Sequence, residues 1–284
     1  MQLTQRQSAL LQAIVQEYIK TAKPIGSKAL VQEYGFDCSS ATIRNEMAVL
    51  EQAGYIMQPH TSAGRIPSEA GYQYYIKHFL REKALSTRQR KTLDEVYAEQ
   101  QHRLRERALA KKAKQHKEQE IMLQRELVKR AAKTIADLTG EAVIISVNGV
   151  GTYFTGMSHM FSKPEFSEHA EVMLRMGQAF DEIDELMLEI SNLTQERAQL
   201  RAQKKAEQQA QKEEAEMERR LREGVDIFLG RENPFSEVCS MIVSDYPLLQ
   251  GRTGTMSILG PMRMDYDTNI SIVEYMDSLI DEEK

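Results

Sequence analysis

FDCSSATIRNEMAVLEQAGYIMQPHTSAGRIP, residues Phe36–Pro67, has the pattern of a capped helix, a glycine stop and a hairpin. Ser39 and Ser40 carry hydroxyls suited to the first free amides of a helix that starts near Ala41. Ile43, Met47 and Leu50 fall at i, i+4 and i+7, which makes one apolar stripe. Thr42, Arg44, Asn45, Ala48 and Val49 are left on the opposite side or at its edge. An arginine and an asparagine facing outward near a helix start suit a helix that enters the DNA major groove. There arginine pairs with guanine and asparagine with adenine. Gly54 ends the helix. Tyr55–Gln58 reads as a strand, His60–Gly64 as a tight polar loop and Arg65–Pro67 as the returning strand. A helix followed by such a hairpin predicts a winged helix-turn-helix. The same combination also occurs in domains that never meet nucleic acid, so the preceding elements carry weight.

Those elements fit. Thr4-Gln5-Arg6-Gln7 has the spacing of a capping box. Leu10, Leu11, Ile14, Val15, Tyr18 and Ile19 then form a helical stripe. Pro24–Ser27 reads as a turn and an N-cap, and Lys28–Tyr34 as a short helix stopped by Gly35. Ser27 and Lys28 place a serine and a lysine at a helix N-terminus, an arrangement suited to a backbone phosphate. His60 and Arg65 would let the hairpin touch phosphate or the minor groove. Ser68 to about Leu80 adds a fourth, aromatic-rich helix. The domain is expected to span residues 1–83.

The net charge of −5 hides an asymmetry. Residues 1–140 hold 23 Lys and Arg against 15 Asp and Glu, whereas residues 141–284 hold 14 against 27. A basic half that reads DNA and an acidic half that regulates or dimerises would give this balance. Most of the basic excess lies in 84–140, with 14 against 8. The charge balance therefore supports the assignment without deciding it. No apolar run has the length of a membrane span, and no signal segment opens the chain. A cytoplasmic protein is expected. Cys38 and Cys239 have no partner motif, so neither zinc nor a disulfide framework is indicated. No HExxH, CxxC, P-loop or GxSxG pattern occurs. The expectation is a chain without catalytic activity, cofactor or metal.

From Lys23 to Ile76 the sequence KPIGSKALVQEYGFDCSSATIRNEMAVLEQAGYIMQPHTSAGRIPSEAGYQYYI resembles the heat-inducible transcription repressor family HrcA. The likeness recurs in GRENPFSEVCSMIVSDY (Gly230–Tyr246) and GTMSILGPMRMDYDTNISIVEYM (Gly254–Met276). It implies a homodimeric repressor that binds the CIRCE inverted repeat upstream of chaperone operons. Heat inactivates such a repressor, and the GroEL chaperonin helps its active form. Carried over by position, the recognition helix falls on Ser40, Ala41, Thr42, Arg44 and Asn45. The wing falls on His60, Thr61, Gly64 and Arg65.

The middle departs from that family. Its usual members carry a GAF-like domain interrupted by an inserted dimerising domain, and the stretch between Leu138 and Phe161 is too short to hold one. Residues 84–140 read as one long helix, 141–166 as strands of a GAF-like domain, and 167–223 as a second long helix. Residues 224–284 complete the GAF-like part, with strands at Val238–Tyr246 and Thr253–Leu259. The expected fold class is α+β: a winged helix, a coiled-coil-like arm and a small antiparallel sheet with helices. The polar stretches 98–120 and 194–217 either pair as an arm of roughly 60 Å, at 1.5 Å per residue, or form a charged linker. In the arm reading, the arm replaces the missing insert as the dimer interface. Two other functions fit the same chain: a small-molecule-sensing regulator and a non-specific, DNA-bridging coiled coil.

Overall fold

Thr4 opens the first helix with the full capping box. Its hydroxyl accepts from the Gln7 amide at 3.3 Å, and its own amide donates to the Gln7 side chain at 3.0 Å. In the computed structural model, which describes residues 3–60, 63–81, 83–109, 116–147, 151–208, 224–247 and 253–281, this helix is α1 (Gln5–Thr21). Helix α2 (Ser27–Tyr34) starts one residue earlier than its sequence suggested. Gly26 holds the cap position and the Ser27 side chain makes no cap bond. Helix α3 (Ser40–Gln52) follows, then strands β1 (Ile56–Met57) and β2 (Ile66–Pro67), then helix α4 (Glu69–Phe79). β1 and β2 pair antiparallel, Ile56 opposite Pro67 and Met57 opposite Ile66. Ser68 caps α4 by accepting from the Gly71 amide at 3.2 Å. Leu10, Leu11, Ile14, Leu30, Ile43, Leu50 and Ile56 are buried in the middle of this unit. The unit comprises residues 3–81 and Met262–Tyr266, whose Tyr266 ring lies 6.5 Å from that of Tyr72.

The second unit is built on five antiparallel strands, β3 (Ala142–Val147), β4 (Gly151–Thr155), β5 (Val225–Leu229), β6 (Cys239–Pro247) and β7 (Thr253–Pro261). Their order in the sheet is β4-β3-β7-β6-β5. Four of these agree with the sequence reading, and β5 was not anticipated. Its run Val225-Asp226-Ile227-Phe228-Leu229 sits between Gly224 and Gly230, but the aspartate breaks the apolar pattern that marks a strand.

Helices α5 (Thr87–Leu109) and α6 (His116–Thr139) lead into the sheet. They correct the expectation of one long helix over 84–140, because Glu99 on α5 pairs with Arg130 on α6. In a continuous helix those residues would stand roughly 45 Å apart, at 1.5 Å per residue. The apolar positions explain the doubling back: Leu93 at one end and Ala132, Ile135 and Ala136 at the other are all buried. α6 lies on the Ile145 face of the sheet. Lys129 sits over the Tyr153 ring at 5.9 Å, and Tyr153 is the cross-strand neighbour of Ile145.

The second predicted long helix, 167–223, is also divided. Helices α7 (Met157–Phe161), α8 (Pro164–Ser167), α9 (Ala170–Asp181) and α10 (Ile183–Gln208) cover the opposite sheet face. A break at Glu182 sets Phe180 against Phe154 at 4.9 Å and Phe235 at 5.3 Å. Beneath α7 to α10 the core gathers Ala142, Ile144, Phe228, Met241, Val243 and Leu259 from the strands. The last helix, α11 (Tyr266–Asp281), joins the other face, where Ser244 donates to Asp277 at 2.7 Å.

The polar half of α10 is not an arm extending into solvent over residues 194–201. Thr194 donates to Asp245 on β6 at 2.9 Å, Arg197 donates to the Ile227 carbonyl on β5 at 3.1 Å, and Arg201 pairs with Asp226. The buried positions 183, 187, 190 and 194 continue at 197 and 201 as one helical stripe, whose chemistry changes from apolar to polar. The strand floor changes with it, from Val243 to Asp226 and Asp245. Burial pushes the Asp226 carboxyl above the ordinary carboxylate range, while Arg201 and Arg197 pull it back. Burial also pushes the Cys239 thiol up to about 12, so it stays protonated. Of the polar stretches 98–120 and 194–217, residues 110–115 and 209–217 lie outside the described residues.

Candidate nucleic-acid interface

Helix α3 is started by Ser39, whose hydroxyl accepts from the Thr42 amide at 3.1 Å and meets the Thr42 hydroxyl at 3.0 Å. Ile43, Met47 and Leu50 are buried, as the spacing required. The turn away from them presents Ala41, Arg44, Asn45 and Ala48 to solvent, with Ser40 and Thr42 half-buried beside the cap. Gly54 follows with φ +80°, a left-handed conformation that releases the chain into β1 at little steric cost.

The hairpin is tied to the rest of the unit through backbone. Ile25, just before α2, exchanges two hydrogen bonds with Arg65, at 3.0 and 2.8 Å. This exchange brings the start of α2 beside the hairpin. It also accounts for Gly64: a Cβ there would lie 2.4 Å from the Ile25 backbone. Lys28 and His60 are exposed, whereas Ser27 is buried in the first turn of α2. Thr61 lies outside the described residues.

Arg65 stands differently from the free cation that its position suggested. Its Nε and Nη2 donate to one carboxylate oxygen of Glu51, at 3.0 and 2.8 Å. On α3's other flank, Glu46 accepts from Arg6 Nε at 3.1 Å and from Gln7 Nε2 at 2.9 Å. Neither acid was singled out by sequence reasoning. The available signal was their placement at the edges of the apolar stripe, since a helix turns about 100° per residue. A second cluster missed by the sequence reading, Thr194, Arg197, Arg201, Asp226 and Asp245, belongs to the sheet unit described above. Among the described residues no group of three or more His, Cys, Asp and Glu gathers as a metal site. No helix among them is long and apolar enough to cross a membrane.

A family model described as "HrcA protein C terminal domain" matches residues 75–270. The chain belongs to the HrcA family. The heat-inducible transcription repressor HrcA of Carboxydothermus hydrogenoformans is 28% identical over 335 positions, covering 99% of this chain and 98% of that one. The protein of the same name from Alkaliphilus metalliredigens is 30% identical over 340 positions with the same coverage. Such alignments run over more positions than this chain has residues, 335 against 284. The HrcA relatives therefore carry segments that this chain lacks. Residues 138–161 hold only the end of α6, β3, β4 and α7 among the described residues. A crystal structure of a hypothetical protein, 19% identical, shares the fold at a TM-score of 0.57 over 99% of this chain and 98% of that one.

Proposed function

We propose that this chain represses transcription of heat-shock operons by binding the CIRCE inverted repeat as a homodimer, without catalytic activity. The observation that carries the reading is α3. In a member of the HrcA family, Arg44 and Asn45 face solvent from a serine-capped helix whose opposite side is fully packed. In this reading residues 3–81 act as a winged helix. α3 enters the major groove, with Arg44 suited to guanine, Asn45 to adenine, and Ser40, Ala41 and Thr42 closing on the bases or the adjoining backbone. Lys28 at the start of α2 meets a phosphate, as do His60, Thr61 and Gly64 at the hairpin, while the buried Ser27 supports the first turn of α2 from inside. The five-stranded unit acts as a GAF-like domain that supports dimerisation and sets the spacing of the two half-sites. Heat lowers the population competent to bind, a GroEL-type chaperonin restores it, and the protein works in the cytoplasm.

Fluorescence anisotropy tests this on the intact CIRCE repeat, on a repeat whose spacer is altered by half a helical turn, and on scrambled DNA. The intact repeat is expected to win by at least about a thousandfold, with the altered spacer losing most of that advantage. Equal binding to all three, weakening together with salt, would reduce the chain to a phosphate binder.

A further inference from the structure

Two carboxylates flank the buried stripe of α3. Glu46 and Glu51 are five residues apart, which sets them about 140° apart around the helix axis at 3.6 residues per turn. They stand on opposite sides of Ile43, Met47 and Leu50. Each is held by a different neighbouring element: Glu46 by Arg6 and Gln7 of α1, Glu51 by Arg65 of the hairpin. Their side chains are 17% and 33% exposed. Ion pairs so close to solvent add little to stability. Their geometry does something the packing cannot do alone. An apolar stripe tolerates small rotations of a helix about its own axis, because dispersion contacts have no direction. Two charge-assisted bonds pulling on opposite flanks do not tolerate them.

We infer that Arg6, Gln7 and Arg65, acting through Glu46 and Glu51, fix the roll of α3 and so select which side chains reach the base edges. These are positioning residues. The inference rests on the DNA-binding reading of α3, and it reassigns Arg65 from a phosphate contact to a clamp. A small roll moves Arg44 and Asn45 off their hydrogen-bonding positions, whereas contacts to phosphate tolerate it. The loss is therefore expected in discrimination before total affinity.

The test measures operator and scrambled-DNA binding across several salt concentrations for the full chain and for E46Q, E51Q, R65A and the exchange E51R/R65E. Circular dichroism confirms folding of each variant. E46Q and E51Q each remove a negative charge near DNA, so scrambled binding is expected to hold or tighten. The operator-to-scrambled ratio is expected to fall severalfold, about as much as a rim pair of this strength is able to bias the roll of the helix. R65A is expected to lower the ratio as E51Q does, with the salt slope unchanged. The exchange variant rebuilds the pair with reversed polarity and is expected to recover the ratio, an outcome no phosphate contact would give. A preserved ratio in E46Q and E51Q overturns the inference, as does an R65A slope reduced by about one without any effect of E51Q. Wild-type chain that does not distinguish the two DNAs overturns the operator reading itself, and this inference with it.

Discussion

The buried stripe of α3 is apolar throughout, Ile43, Met47 and Leu50, and the acids beside it meet their partners at the rim. The stripe of α10 begins in the same way with Ile183, Met187 and Ile190, then continues through Thr194 to Arg197 and Arg201 over the buried Asp226. Both helices obey the same three-and-four spacing. The floor beneath them differs. α3 lies on other helices whose buried side chains are chiefly apolar, Leu10, Leu11, Ile14 and Leu30 among them, with Gln7 at the rim. α10 crosses a sheet whose strands turn from Met241 and Val243 to Asp226 and Asp245. Polar residues at helical spacing are thus compatible with solvent and with a polar floor alike, and only the floor decides. Charges in the sheet unit sit where breaking a pair is costly, whereas those of α3 sit where it is cheap.

The largest effect follows from emptying that site. Replacing Arg197 and Arg201 together by alanine leaves the Asp226 carboxylate buried without a cation, at a cost of about 3–5 kcal/mol. Urea unfolding followed by circular dichroism should show the loss in the sheet unit. The pH dependence fixes the cause. The folded-state value for Asp226 already stands above its ordinary 3.8, so the folded state keeps a proton that the unfolded chain releases. Stability from this group is therefore present below 3.8 and lost as pH rises through the raised folded value. Removing both arginines raises that value further, so the deficit should be small near pH 4 and grow toward neutrality. A deficit that is flat over this range would mean that the arginines act by packing alone.

The first unit was legible for the reason that makes it robust. The capping box at Thr4, the Ser39 cap, the stripe of α3 and the hairpin are local signals, read within a few residues of one another. The sheet was legible where strands are apolar and was missed at β5, where Asp226 interrupts the run. No local rule says that an aspartate is buried because two arginines some thirty residues earlier in the chain turn toward it. The same limit applies to the candidate interface. Outward placement of Arg44 and Asn45 follows from periodicity, but the pairing of Arg65 with Glu51 depends on the hairpin folding back along α3. A cation in a hairpin beside an outward-facing helix, read from sequence alone, looks like a phosphate contact.

Close backbone approach gives the next largest effect. Gly64→Ala places a Cβ 2.4 Å from the backbone of Ile25, where no flexible side chain is able to give way. The expected loss is about 1–3 kcal/mol, typical of forced overpacking, and it should fall on the first unit only. If the variant melts like wild type, the Ile25–Arg65 bridge is not a fixed feature of the unit. Ser39→Ala is smaller, about 1 kcal/mol for a lost N-cap, because it frees only the Thr42 amide and hydroxyl at the helix start. Amide exchange at Thr42 and its neighbours should quicken while that at Leu50 stays slow.

The smallest effect is the one that isolates the stripe from composition. Leu188 is 65% exposed, although it follows the buried Met187 directly. Leu188→Gln should change unfolding free energy by less than about 0.5 kcal/mol, as substitutions outside packed positions do. Composition alone would rank a leucine on a helix of a folded domain above an arginine near that helix's polar end. The three-and-four spacing ranks them the other way, since position 188 lies off the line through 183, 187, 190, 194, 197 and 201. A loss at Leu188 approaching that of the double arginine variant would mean that α10 buries a second face, against something other than the sheet beneath it. A negligible loss would mean that the line of contact alone, whether leucine or arginine occupies it, holds α10 in place.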